Sequence, residues 1–122
     1  MNNRNHLNEI NRLNFEEFIW IIFVILALMN MFGDYNEKEY LKTNNKIYKD
    51  YANEIFEITL IITLFIYFYF FSRNYQSYEQ ASEENKNLYA IKVLGSSFLI
   101  AGVICLIYFQ TKQSSFIGGP AL

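Results

Sequence analysis

Residues 58–71 read ITLIITLFIYFYFF, an apolar run without Asp, Glu, Lys, Arg or His. Two further runs, 18–32 and 93–109, are equally free of charged side chains, and nearly all charges lie in the tails and the two connections. A helix that crosses a bilayer needs roughly 17 to 25 mostly apolar residues. Each run reaches this length by including its flanks. The sequence therefore predicts an all-α integral membrane protein with three transmembrane helices, at about 15–33, 55–72 and 90–110.

These spans use most of the 122 residues, so we expect a single membrane domain. The helices should form a compact bundle with helical extensions outside the bilayer. Residues 1–14 are a polar amino-terminal tail, either a short interfacial helix or disordered. Residues 111–122 are an extended carboxy-terminal tail, because its Gly-Gly-Pro sequence stops a helix. We expect the first span to be retained and not cleaved as a signal peptide, since no small-x-small pattern follows it.

Composition argues against several classes of function. The net charge is −2 and both signs are mixed in every connection, so no basic surface for nucleic acid is expected. Cys105 is the only cysteine and His6 the only histidine, so we expect neither an internal disulfide nor a metal site. The sequence has no Gly-rich phosphate loop, nucleophile elbow or His-Glu-x-x-His motif. We therefore predict no enzyme and no cofactor.

One face of the first span carries the span's least lipid-like residues. They follow a 4-3-4-3-4 spacing and are Glu16, Trp20, Phe23, Ala27, Asn30 and Asp34. Asn30 is the polar residue furthest inside the apolar run, where a side-chain amide gains most by bonding to another helix. We predict that Ala27 and Asn30 are helix-packing residues, with substrate binding at Asn30 as the alternative.

The third span carries a row of small residues. Ser97, Ala101 and Cys105 are spaced four apart, with Gly102 beside the row and Gly95 seven residues before Gly102. Small residues let helix backbones approach closely within a membrane. We predict that these five are helix-packing residues, buried either against the other two helices or against a second copy of the chain.

Three polar residues of the second span are candidate intramembrane polar residues. Glu57 is the most costly at such a depth, which makes it a candidate for transport or proton relay. However, it lies about one turn into the span, where its carboxylate reaches the headgroups. Thr59 and Thr63 can bond to carbonyl groups of their own helix, so their hydroxyls need not mark a polar path.

The connections predict where the helices begin and end. Short polar side chains at 43–45 favour a break, with a short helix before it and one long helix leading into the second span. Ser82 followed by two glutamates favours the start of the third helix.

Orientation follows from the basic residues, five of which fall on each side. Those nearest the span ends, Arg12, Arg73 and Lys92, favour an amino terminus inside. Glu16 and Glu17 then share an interface with Arg73 and Lys92, which makes an ion-pair set available.

In layout, the chain resembles small three-span membrane proteins of AT-rich bacteria, chiefly through residues 60–71 and 94–102. The resemblance implies a location in the bacterial cytoplasmic membrane, but it implies no activity and no site residues.

Three hypotheses for function follow. The first is a non-enzymatic protein that acts through helix–helix association, as an accessory subunit of a membrane complex or as a homo-oligomer. Its partners would be the lipid bilayer and another membrane protein or itself, without nucleic acid or metal. The alternative is a pore-forming, holin-like or transport protein, whose copies line a path with Asn30, Glu57, Thr59 and Thr63. The third is a regulatory protein that contacts a soluble partner through Tyr75 and Tyr78.

Overall fold

The computed structural model describes residues 2–112, and these form three α-helices joined by short connections. Helix α1 spans Asn2–Thr43, α2 spans Lys46–Gln80 and α3 spans Lys86–Lys112. At 1.5 Å per residue their lengths are about 63, 52 and 40 Å. The all-α prediction is confirmed, and all three helices are long and apolar enough to cross a membrane. Most of the predicted carboxy-terminal tail, residues 113–122, lies outside the described residues, while Thr111 and Lys112 belong to α3.

The break between α1 and α2 falls at the predicted asparagines. Asn44 has a φ of 57°, a left-handed conformation that asparagine tolerates better than most residues. The side chain of Asn45 accepts a hydrogen bond from the Ile47 N–H and caps α2. The prediction of a separate short helix before this break is wrong. No proline lies within α1, so residues 2–17, the first apolar run and residues 33–43 form one continuous helix.

The third helix begins later than the sequence predicts. Ala81 is extended and ends α2, and the Ser82 carbonyl accepts a bond from the Asn85 N–H in a turn. Ser82 is therefore the first residue of a turn that precedes α3, and the helix itself begins at Lys86.

Helix α2 is central to the arrangement. Both α1 and α3 pack against α2, but within residues 2–112 no Cα of α1 lies within 8 Å of a Cα of α3. The predicted compact bundle is therefore wrong in this respect. The arrangement is open because the tightest packing and the interhelical hydrogen bonds join α1 and α3 separately to α2.

The α1–α2 contact has an apolar core and one very close approach. Ile19 and Leu26 of α1 are buried against Ile66 of α2. Further along, Gly33 lies directly under the ring of Phe56, and a Cβ added at this glycine would collide with the ring. Since Phe56 is fully buried, the two backbones come together here only because residue 33 has no side chain.

The α2–α3 contact uses a seven-residue repeat. Ser96, Val103 and Gln110 are the buried residues of α3. Near one end Gln110 Nε2 donates to Asn53 Oδ1 at 3.0 Å, and near the other Asn74 Nδ2 donates to Ser96 Oγ at 2.6 Å. The contact therefore combines a central buried valine with an interhelical side-chain hydrogen bond near each end.

Candidate functional site

A polar network joins α1 to the end of the α2 apolar run. The buried carboxylate of Glu16 receives a 2.7 Å bond from Arg73 and a 3.2 Å bond from the Tyr69 hydroxyl. Arg12 Nε lies 3.7 Å from the same carboxylate. The pairing of Glu16 with Arg73 agrees with the ion-pair set expected from orientation, whereas Glu17 is exposed.

The network continues into α3. Arg73 also donates to Asn74 Oδ1 at 3.1 Å, and Asn74 donates to Ser96. Ser96 in turn donates to the Lys92 carbonyl at 3.1 Å. Side chains of all three helices are thus joined near one end of the apolar runs. Sequence reasoning missed Asn74 and Ser96. A possible signal for Ser96 was the seven-residue spacing that it shares with Val103 and Gln110, the other buried residues of α3.

An open groove of about 600 Å³ lies between α1 and α3, with α2 as its floor. We refer to it as the α1/α3 groove. Its walls are mainly aromatic and aliphatic, and the aromatic residues are Trp20, Phe23, Tyr67 and Phe70. Polar residues line its two ends. Arg73, Asn74 and Ser96 of the network lie at one end, and Asn30 lies at the other. The groove is therefore an amphipathic cavity with a charged end.

The structure places the candidate polar residues of the first two spans as follows. Asn30 Oδ1 accepts a 2.9 Å hydrogen bond from Thr59 Oγ1, so Asn30 does join α1 to α2. The prediction that Ala27 is a helix-packing residue is wrong: Ala27 is exposed on the groove wall, because α1 packs against α2 through the neighbouring Leu26. Thr59 and Thr63 are fully buried, and their hydroxyls also bond to carbonyls one turn back, at 3.0 and 2.7 Å. Glu57 is half-buried and does not line the groove. Because both threonines are enclosed, Asn30, Glu57, Thr59 and Thr63 do not share the open surface that the pore hypothesis requires.

The small residues of α3 are not buried against the other helices. Gly95, Ala101, Gly102 and Cys105 are exposed, and among residues 2–112 nothing lies within 4 Å of a Cβ built on either glycine. Ser97 is half-buried, and in the described part of the chain its hydroxyl donates only to the Val93 carbonyl of its own helix. The expectation that this face packs against α1 and α2 is therefore wrong, because the close contacts of α3 are made by the neighbouring row that begins with Ser96. Contact with a second copy stays a prediction.

Apolar surface is exposed along all three helices. In the most apolar window of each helix, only 17, 28 and 11% of the residues are buried. Exposed phenylalanines, isoleucines and leucines on this scale are characteristic of lipid-facing or partner-facing surfaces. The fold thus defines an all-helical protein whose three apolar helices suggest membrane association. Comparisons with protein-family models, curated proteins and solved structures find no match.

Proposed function

We propose that this chain is an integral membrane protein that crosses the bacterial cytoplasmic membrane three times and acts, without catalysis, through helix–helix association. Length and hydropathy support insertion, since each helix contains an apolar window with few charges. The location of the ionic network supports it further. Glu16 and Arg73 lie just outside the apolar runs 18–32 and 58–71, at the depth where charged side chains reach headgroups.

The observation that carries association is the outer α3 face, which we define as Ser97, Ala101 and Cys105. Helix α3 contacts only α2 within the described residues, so this face is open to the bilayer. Lipid tails are as apolar as leucine, and spans therefore associate mainly where small residues permit close packing and many van der Waals contacts.

A second copy of the chain is the occupant that best fits this face. A row of small residues is complementary to itself, so two α3 helices can cross at Ala101 in a symmetric contact. Such a contact would also bring the two Cys105 side chains close together. No comparable argument supports a pore, because the threonines proposed to line one are fully buried.

The test uses oxidative cross-linking of Cys105, the only cysteine, in native membranes. We expect disulfide-linked dimers from the natural chain and a cross-linking yield roughly tenfold lower for Ala101→Leu, the loss expected when about 1.4 kcal/mol of packing is removed. Ala90→Leu is the matched control, because it makes the same change at an exposed position about three turns before Ala101, away from the proposed crossing point and outside the groove. Equal yields from the two variants would overturn the α3 contact. Stoichiometric co-purification of a different membrane protein, without self-adducts, would overturn the second copy as occupant.

Insertion is tested separately. We expect the chain to stay in the membrane fraction after alkaline carbonate washing and to be released by detergent. Release by carbonate would contradict the three-span arrangement.

A further inference from the structure

We propose that the α1/α3 groove binds one phospholipid, with an acyl chain along the groove and the phosphate beside Arg73. This inference rests on the proposed membrane insertion. It adds a ligand site that is independent of the outer α3 face.

The dimensions of the groove favour an acyl chain over a transmembrane helix. Along α1 the lining runs from Trp20 to Asn30, ten residues or about 15 Å. The hydrocarbon core is about 30 Å thick, so the groove is about as long as one leaflet is deep. A partner helix that crosses the bilayer would need a groove of about twice this length. The volume of about 600 Å³ is within the usual range for small-molecule sites.

The polar end of the groove lies at headgroup depth. Arg73 lies two residues after the apolar run 58–71, and it lines the groove together with Asn74 and Ser96. Arginine has five N–H donors, and within residues 2–112 the hydrogen bonds of Arg73 to Glu16 and Asn74 use two of them. The remaining donors suit a phosphate, which arginine binds through paired hydrogen bonds.

A second cation stands near this end. Lys92 is exposed one turn before Ser96, and Ser96 bonds to its carbonyl. A lysine at this level can reach a headgroup phosphate while its stem follows the helix. The two cations together favour a phosphate-bearing lipid over an uncharged amphiphile.

The groove walls are shaped by packed rings. Trp20 lies between Phe23 and Phe70, with ring centroids 5.6 and 5.9 Å away, and Phe23 contacts Tyr67 at 6.3 Å. Rings that hold one another in place preserve the cavity instead of collapsing into it. Ala27 on the same wall leaves room for a chain.

The decisive variant is Ala27→Phe, which places a ring inside the groove. Ala90→Phe is the matched control, since Ala90 is exposed on α3 and does not line the groove. Full-length protein is incubated with phosphatidylglycerol in mild detergent, and bound lipid is counted by native mass spectrometry. We expect one bound lipid for the natural chain and the control. For Ala27→Phe we expect affinity at least about tenfold lower, the loss when roughly two methylene groups can no longer be buried.

Equal lipid occupancy in Ala27→Phe and Ala90→Phe would overturn the site. Added inorganic phosphate should not displace the lipid, because the acyl chain supplies most of the contact, and complete displacement by phosphate would overturn the role of the chain. Insertion is measured on the same proteins by their incorporation into phosphatidylcholine vesicles. Failure to insert would contradict the proposed function, whereas insertion with unchanged lipid binding in Ala27→Phe would contradict only the groove.

Discussion

Glu16 of α1 and Arg73 of α2 are 57 residues apart in the chain, and their side chains form an ion pair of 2.7 Å. The two side chains are 8 and 21% exposed, so the pair is largely shielded from solvent. It fixes the register of α1 against α2 at one end, while Gly33 and Phe56 fix it at the other.

The ion pair between Glu16 and Arg73 should stabilise the folded chain. Glu16→Gln removes the charge that faces Arg73, so we expect unfolding in mixed detergent micelles to be easier by about 2–3 kcal/mol. The adjacent Glu17→Gln is the control, and because Glu17 is exposed its effect should stay within about 0.5 kcal/mol. The double variant Glu16→Gln/Arg73→Met should lose less than the sum of the two single changes. Additive losses would show that the two side chains are not coupled.

The close approach at Gly33 makes a second prediction. Gly33→Ala would force its methyl group against the buried Phe56 ring, and we expect a loss of about 1–3 kcal/mol in the free energy of unfolding. The same change at Gly102 meets open space and should be neutral or stabilising by up to about 1 kcal/mol, because alanine favours helix. Phe56→Leu in the Gly33→Ala background should recover part of the loss. If Gly33→Ala and Gly102→Ala behave alike, the helices do not meet closely at residue 33.

Packing of α3 against α2 should depend on Ser96 and not on the adjacent Ser97. Ser96→Ala leaves the buried Asn74 amide without its acceptor, at a cost of about 1–3 kcal/mol. Ser97→Ala removes only a bond within α3 and should change stability by less than about 0.5 kcal/mol. The measurements are detergent unfolding and the rate of proteolysis in the 81–85 connection, both at protein concentrations that keep the chain monomeric. Equal effects of the two variants would contradict the Asn74–Ser96 contact.

Glu37 and Asp34, which follow the first apolar run, should make the free energy of unfolding depend on pH. Burial, and then the nearby charge of Asp34, raise the pKa of Glu37 above its ordinary value of 4.5. The folded chain therefore holds a proton on Glu37 more strongly than the unfolded chain does. Its contribution to stability is greatest in acid and falls as the pH rises from about 4.5 through the raised pKa.

The variants Glu37→Gln and Asp34→Asn test this sign. Glu37→Gln should remove the loss of stability on raising the pH from acid to neutral, and Asp34→Asn should reduce it in part. The measurement is the midpoint of detergent unfolding as a function of pH. A slope that is unchanged in Glu37→Gln would assign the pH dependence to other groups.

Local features of the chain were predictable from the sequence because they depend on neighbouring residues. The apolar runs give the helices, and Asn44 with Asn45 ends one and starts the next through turn geometry and capping. The ion pair of Glu16 with Arg73 was also predictable, since each residue lies at the end of an apolar run and consecutive antiparallel helices bring these two ends together. The start of α3 was predicted too early because a serine followed by glutamates suits either a helix cap or a turn. In the structure Ser82 belongs to a turn.

Helix pairing was less predictable. The sequence contains more small residues than one contact needs, and nothing local distinguishes Gly33, which packs, from Gly95 and Gly102, which do not. The difference depends on the shape of the opposite surface, here the ring of Phe56. The partnership of Asn74 with Ser96 is of the same kind, because it joins residues 22 apart whose meeting requires the complete packing of α3 on α2.

The sequence by itself therefore determined that this protein has three long apolar helices, where the first break lies and which side chains stand at the ends of the apolar runs. Backbone hydrogen bonds within a helix, turn geometry and hydropathy are local properties, and they need no knowledge of the rest of the fold. Only the tertiary structure decided that α2 is central, that α1 and α3 leave a groove between them and that the small residues of α3 face outward. Those outcomes depend on the fit between surfaces distant in the chain, which is settled only when whole helices pack together.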